Sequence, residues 1–227
     1  MKIALAFGAL LVWAQPTDMA YELAYVPTQG ESWRHDVEYR IKQEDATTVI
    51  NAKVEHEVVE RRVGGGYDLQ SKTVSRMIST PMGEIIDDRE AERVARIAAN
   101  EALISIASGA DSAEAYRQAL LTRFVEPPSA VTVGDTWGYS RPAGTPRANV
   151  PGLEVQYRFS GLDDAGRARV TFDYKETGDG AVQTGSGTWF IDLETGRPSE
   201  LRANIGNFLG EAGTSATITL TEAQPES

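Results

Sequence analysis

The sequence predicts a mainly β protein with a short helical insert: a strongly curved antiparallel meander, or half-barrel, made of two related halves. Three observations carry that reading: long period-two alternation in both halves, glycine-rich turns between the alternating runs, and a change to helical spacing in the middle. The chain has 227 residues, of which 41% are hydrophobic and 24% charged. That is enough for a real core and excludes wholesale disorder.

Alternation begins at Trp33. Trp33, His35, Val37, Tyr39 and Ile41 share one parity, with Arg34, Asp36, Glu38, Arg40 and Lys42 on the other. A strand with one buried and one solvated face gives this pattern. Thr48, Ile50, Ala52, Val54, His56 and Val58 repeat it, and Gly64-Gly65-Gly66 makes the turn. Tyr67, Leu69, Ser71, Thr73, Ser75 and Met77 then form one face of a returning strand. In the second half Val155, Tyr157 and Phe159 alternate, Asp163-Asp164-Ala165-Gly166 turns, and Ala168, Val170, Phe172 and Tyr174 follow. Gly178-Asp179-Gly180 and Glu194-Thr195-Gly196-Arg197-Pro198 separate strands through Trp189, Leu201 and Ile218. About ten strands are expected, several longer than the usual ~5–6 residues. Long one-sided strands coil, which favours a curved sheet with an apolar inside. Gly185-Ser186-Gly187 reads as a bulge or kink in one of them.

Between the halves, Ala91, Val94, Ala95, Ala98, Ala102 and Ser105 follow helical spacing in an alanine-rich run closed by Gly109. Asp111 with Glu114 resembles a capping box, and Tyr116, Ala119, Leu120 and Phe124 form a second amphipathic stripe ended by Pro127-Pro128. Two helices are therefore expected. They could cover the open side of a curved sheet or simply fill the core. The halves also match each other. Gly30-Glu31-Ser32-Trp33 parallels Gly134-Asp135-Thr136-Trp137, and Val37-Glu38-Tyr39-Arg40-Ile41 parallels Val155-Gln156-Tyr157-Arg158-Phe159.

The ends are simpler. Lys2 followed by an apolar stretch over residues 3–13 and Val12-Trp13-Ala14 read as a secretory signal over 1–14, too short to span a bilayer. One β-rich domain over 15–227 follows, divided into a first meander (15–86), the insert (87–126) and a second meander (127–227), with a frayed tail after Leu220. No later stretch is long enough for a transmembrane segment. With no cysteine, disulfides, thiol chemistry and a lipid-modified N-terminal cysteine are excluded. A net charge of −11 argues against nucleic acid as a partner. The expected location is periplasmic or extracellular, soluble and not lipid-anchored.

The order of signal, Gly-Glu-Ser-Trp meander, short helices, Gly-Asp-Thr-Trp and a closing meander with Asp192-Leu193-Glu194-Thr195-Gly196 resembles secreted bacterial β proteins marked by Val-Gly-Asp-Thr-Trp, here residues 133–137. The layout is also similar to the LolA/LolB-like half-barrels. That resemblance implies a curved sheet capped by helices that binds a lipidated or apolar ligand. The missing cysteine departs from lipoprotein members such as LolB, so their anchoring is not implied.

Catalytic signatures are missing. There is no Gly-x-Ser-x-Gly elbow, phosphate loop or calcium loop, and carboxylates such as Asp87-Asp88 fall in turns or at helix starts. His35 and His56 lie on apolar faces without metal-ligand spacing, so no metal is expected and hydrogen bonds to inward hydroxyls of Ser71, Thr73 or Ser75 account for them better. Trp33, Tyr39, Trp137, Tyr157, Phe159, Phe172 and Tyr174 either line a pocket or form a solid core. The candidate ligand-binding residues are Trp33, His35, Tyr39, His56, Ser71, Thr73, Tyr157, Phe159 and Phe172. The expected function is a non-enzymatic carrier or binder of an apolar or lipid-like ligand, without a cofactor. An envelope interaction module with a protein partner is the alternative, and a hydrolase is third.

Overall fold

The computed structural model describes residues 19–87, 90–108, 112–146, 149–178 and 181–223. The segment 1–14, Gly109, Asp111 and the Asp179-Gly180 pair lie outside them. Twelve strands and one α-helix follow in order. They are β1 (Ser32–Gln43), β2 (Ala46–Arg61), β3 (Tyr67–Thr80), β4 (Gly83–Asp87), β5 (Ala91–Ile97), β6 (Leu103–Ser108), α1 (Ala113–Leu121), β7 (Thr136–Arg141), β8 (Gly152–Leu162), β9 (Ala168–Thr177), β10 (Thr184–Ile191), β11 (Pro198–Gly206) and β12 (Thr214–Glu222).

All strands join one antiparallel sheet in the order β6-β5-β3-β2-β1-β12-β11-β10-β9-β8-β7, with β4 on β3. The last strand returns to the first: His35 to Gln43 of β1 pair with Glu222 to Thr214 of β12. Strand β12 thus continues past Leu220, where the sequence predicts fraying, because β1 offers its backbone a partner as far as Glu222. Nothing among the described residues pairs the outer edges of β6 and β7, so the curved sheet stays open as a half-barrel. The two faces follow the alternation: Val37, Tyr157, Phe159, Val170, Leu201 and Ile218 are buried, while Asp36, Arg40 and Asp173 are exposed.

One parity flips. Val54 pairs with Thr73 but Lys53 with Ser75, leaving Val74 as a bulge. Beyond it Arg76 faces the same way as Ala52, and Ser75 and Met77 turn to the outside, against the face expected from uninterrupted alternation. Strand β10, by contrast, carries no register shift at Gly185 or Gly187. A Cβ on Gly187 would lie 2.7 Å from the Phe172 ring, so this glycine makes room for a neighbouring aromatic rather than forming a bulge.

The first expected helix is a hairpin instead. Ala91 to Ile97 pair with Thr73 to Tyr67 as β5, and β6 folds back through a turn with Glu101 at φ 66°. The edge of β3 would otherwise leave its backbone groups without partners, and Val94, Ile97, Ile104 and Ile106 suit a strand. That demand overrides the helix propensity of alanine. The second helix forms as α1. Its N-cap is Ser112, whose Oγ accepts the Ala115 N–H at 3.2 Å. It buries Tyr116, Ala119 and Leu120, and Phe124 follows just beyond its end. The helix crosses the inner face: Arg117 Nε donates to Glu176 on β9 at 2.8 Å, and the Phe124 ring packs on Trp137, Tyr157 and Trp189.

The repeated motif gives the same local structure twice. Gly30 and Gly134 both have positive φ (82° and 102°), a conformation that costs glycine little. Glu31 and Asp135 each accept the N–H and hydroxyl of the threonine three residues earlier. Gly30 N–H then donates to Val58 on β2, and Gly134 N–H to Phe159 on β8, each at 2.8 Å. The hairpin β1–β2 therefore corresponds to β7–β8. This overturns the second sequence match, which sets β1 against β8; that match reflects shared alternation only.

Candidate functional site

A cavity of ≈ 320 Å³ lies between the inner faces of β1, β2, β3 and β5 and the helix α1 with the residues after it. Its apolar wall includes Val37, Ile41, Ile50, Ala52, Val54, Ala95, Phe124 and Leu220. Trp33, His35, Tyr39, His56, Ser71 and Thr73, all expected at a site, line it together. Tyr157, Phe159 and Phe172 do not. They belong to the packed half of the interior, where Tyr157 lies against Phe124, Trp137 and Phe172, and Phe159 against Tyr21. The helix crosses both halves, and the void lies mainly under the first, with Trp189, Phe208 and Leu220 of the second half closing one side.

Strand register sets out the polar groups in rows. Trp33 pairs with His56, His56 with Ser71, and Ser71 with Arg93, one residue from each of β1, β2, β3 and β5. The next row is His35, Val54, Thr73 and Ala91. The Trp33 and His56 rings stack at 5.3 Å, His35 meets His56 edge-on at 5.0 Å, and His56 Nδ1 lies 2.9 Å from Ser71 Oγ.

Burial opposes charging of both imidazoles. His35 is held down to about 3, first by desolvation and then by the charges of Arg123 and Arg197, with the Pro198 backbone opposing weakly. His56 is pushed well below the ordinary histidine range, by burial and then by His35, Arg123 and Arg93. Both are neutral at physiological pH. Neither ring nitrogen of His35 makes a hydrogen bond of ordinary geometry among the described residues, although the Pro198 backbone lies near the ring. The described residues hold no group of three or more His, Asp or Glu placed to bind a metal ion.

Four arginines border the cavity, which sequence reasoning did not place there. Arg76 pairs with Asp87, Arg123 with Glu101 at 3.2 Å, and Arg197 with Glu31 at 2.9 Å and with Glu222. Glu101 also accepts the Tyr67 hydroxyl at 2.6 Å, and burial pushes its carboxyl up. Arg93 differs. Its Nη1 reaches only the Ala115 carbonyl, at 3.4 Å, and no carboxylate among the described residues pairs with it; its buried Nε lacks a partner, as do those of Arg76 and Arg197. Desolvation lowers its pKa, and no carboxylate opposes that shift. Reading 91–105 as a helix hid Arg93; on a strand its parity with Ala95 and Ile97 would have placed it inward.

No protein-family model and no curated protein matches the chain. Among solved structures it is similar to a protein of Bacteroides fragilis described as a candidate exported protein with a YmcC-like fold. The TM-score is 0.30 and the identity 11%, over 87% of this chain and 97% of that one. No helix among the described residues is long and apolar enough to cross a membrane. The described residues by themselves form an open, twelve-stranded antiparallel half-barrel with one α-helix across its inner face.

Proposed function

We propose that this chain is an exported, non-enzymatic binder or carrier of an apolar or lipid-like ligand, which it holds in the cavity beside α1. The observation that carries the reading is the cavity itself. Its wall is apolar over much of its extent, polar groups stand in the two rows with four arginines and two glutamates at its border, and it sits at the small end of the ~300–1,000 Å³ range of ligand pockets. The two histidines, neutral and without a metal-ligand set, supply hydrogen-bonding edges rather than charge. The test is titration with an environment-sensitive apolar dye. Saturable enhancement, reversed by a long-chain alcohol, is expected; a dye that stays in water with the folded protein present contradicts the reading.

A second reading, an envelope interaction module, is favoured by one feature. The β3–β4 hairpin exposes Met82, Ile85 and Ile86 at 98%, 58% and 80%, an apolar tip outside the core. A stable complex captured through that tip, with no extractable ligand, would favour it.

A further inference from the structure

We infer that the cavity selects a single-chain amphiphile with an anionic head, carboxylate or phosphate, and that Arg93 is the residue that holds the head. The inference rests on the apolar-ligand reading and adds the chemistry of one end of the ligand. Arg76, Arg123 and Arg197 each have a carboxylate of this chain beside them; Arg93 has none among the described residues. An uncompensated cation, half-buried beside apolar side chains, is costly unless something anionic arrives to pair with it. A guanidinium presents donors in a planar fork that fits carboxylate or phosphate oxygens, and pairing of this kind is stronger than between neutral groups.

The neighbourhood suits a head rather than a tail. Arg93 shares its row with Ser71, and Tyr39 and Thr73 line the same cavity and can donate hydroxyl protons to the same oxygens. The apolar side chains of Ile41, Ile50, Val54 and Leu220 leave the remaining wall to a hydrocarbon chain. A cavity of ≈ 320 Å³ fits a medium-length chain, not a diacyl lipid.

The experiment compares dodecanoate, dodecyl phosphate and dodecanol at pH 8, below micelle-forming concentrations, on the wild-type chain and on Arg93→Gln, with Arg93→Met as a second variant. Thermal melting checks that each variant is folded. The wild type should bind one or both anions at least about tenfold more tightly than dodecanol, as a charge-assisted pair is expected to give. Both variants should lose that preference while dodecanol binding changes by no more than ~3-fold. Preference for dodecanoate points to a free fatty acid as the source, and preference for dodecyl phosphate to a phosphate ester. Equal binding of all three to the wild type, or a preference that survives in the folded variants, overturns the Arg93 anchor and leaves the apolar reading standing. Binding of none of the three overturns both.

Discussion

Trp33 and His56 stack face to face at 5.3 Å, in the same place in the first hairpin that Trp137 and Tyr157, 5.4 Å apart, occupy in the second. Each pair is directly cross-strand, and each tryptophan follows the same glycine–acid turn. One copy keeps a tyrosine and a solid interior; the other has a histidine beside a cavity. His56→Tyr should therefore restore the second half's stack, retain or raise the melting temperature, and reduce dye uptake. Unchanged uptake in the folded variant would dissociate His56 from the binding volume.

Ala52 lines the cavity from the centre of β2. Ala52→Trp should fill the void and abolish dye binding, at a stability cost of about 1–3 kcal/mol if there is room. Circular dichroism and urea unfolding separate this outcome from collapse of the fold.

Acid should weaken the first half. His35 is held near 3, so below pH ~6.5 the unfolded chain takes a proton that the folded chain refuses. The stability owed to the neutral ring is complete above that pH and falls as pH drops towards 3, by about 1.4 kcal/mol per unit at most. His35→Phe removes this term. Its urea midpoint should fall less than the wild type's between pH 6.5 and 5, and parallel curves would contradict the assignment.

Glu126 acts in the opposite direction. Its carboxylate accepts the Tyr25 N–H, and burial raises its pKa to about 7, with a smaller contribution from Glu101. A raised carboxyl favours the folded state below its unfolded value near 4.5, and that advantage is lost as pH rises through 7. Most of that loss falls between pH 4.5 and 7, where the histidines also act, so the effect is read as the difference from wild type at each pH. Glu126→Gln keeps an acceptor for Tyr25 and cannot ionise. Relative to wild type it should gain about 1–2 kcal/mol between pH 5 and 8, allowing for incomplete desolvation. A constant difference across that range would exclude Glu126 as the source.

Arg117 ties the helix to the sheet through Glu176, whose side chain is 1% exposed. Arg117→Met leaves that carboxylate buried beside only Tyr174 and Gln183, and should cost about 3 kcal/mol. Adding Glu176→Gln should recover most of the loss in urea unfolding. A double variant as unstable as the single one would mean that packing, not charge, was lost.

The strands were legible because one-sided burial imposes period two on Trp33 to Ile41 and on Val155 to Phe159. Turn chemistry was legible too: Asp163 accepts the N–H groups of Ala165 and Arg167, as aspartate at a turn does. The hairpin of β5 and β6 was not, since its alanines favour a helix locally and only the vacant edge of β3 makes them a strand. That misreading removed Arg93 from view. The division between cavity and core was also hidden, because Tyr39 and Tyr157 sit in similar alternating patterns, while Tyr157 is packed by Phe124, Trp137 and Phe172 and Tyr39 meets Phe208 at the cavity wall.

Native mass spectrometry of the folded chain, recovered after export and measured before and after solvent extraction, tests the central claim most directly. A discrete adduct that is lost on extraction, identified as a single-chain apolar molecule and missing from Ala52→Trp, is the predicted result. An adduct-free mass that persists when saturating dodecanoate or dodecanol is added would contradict a ligand-carrying role for the cavity.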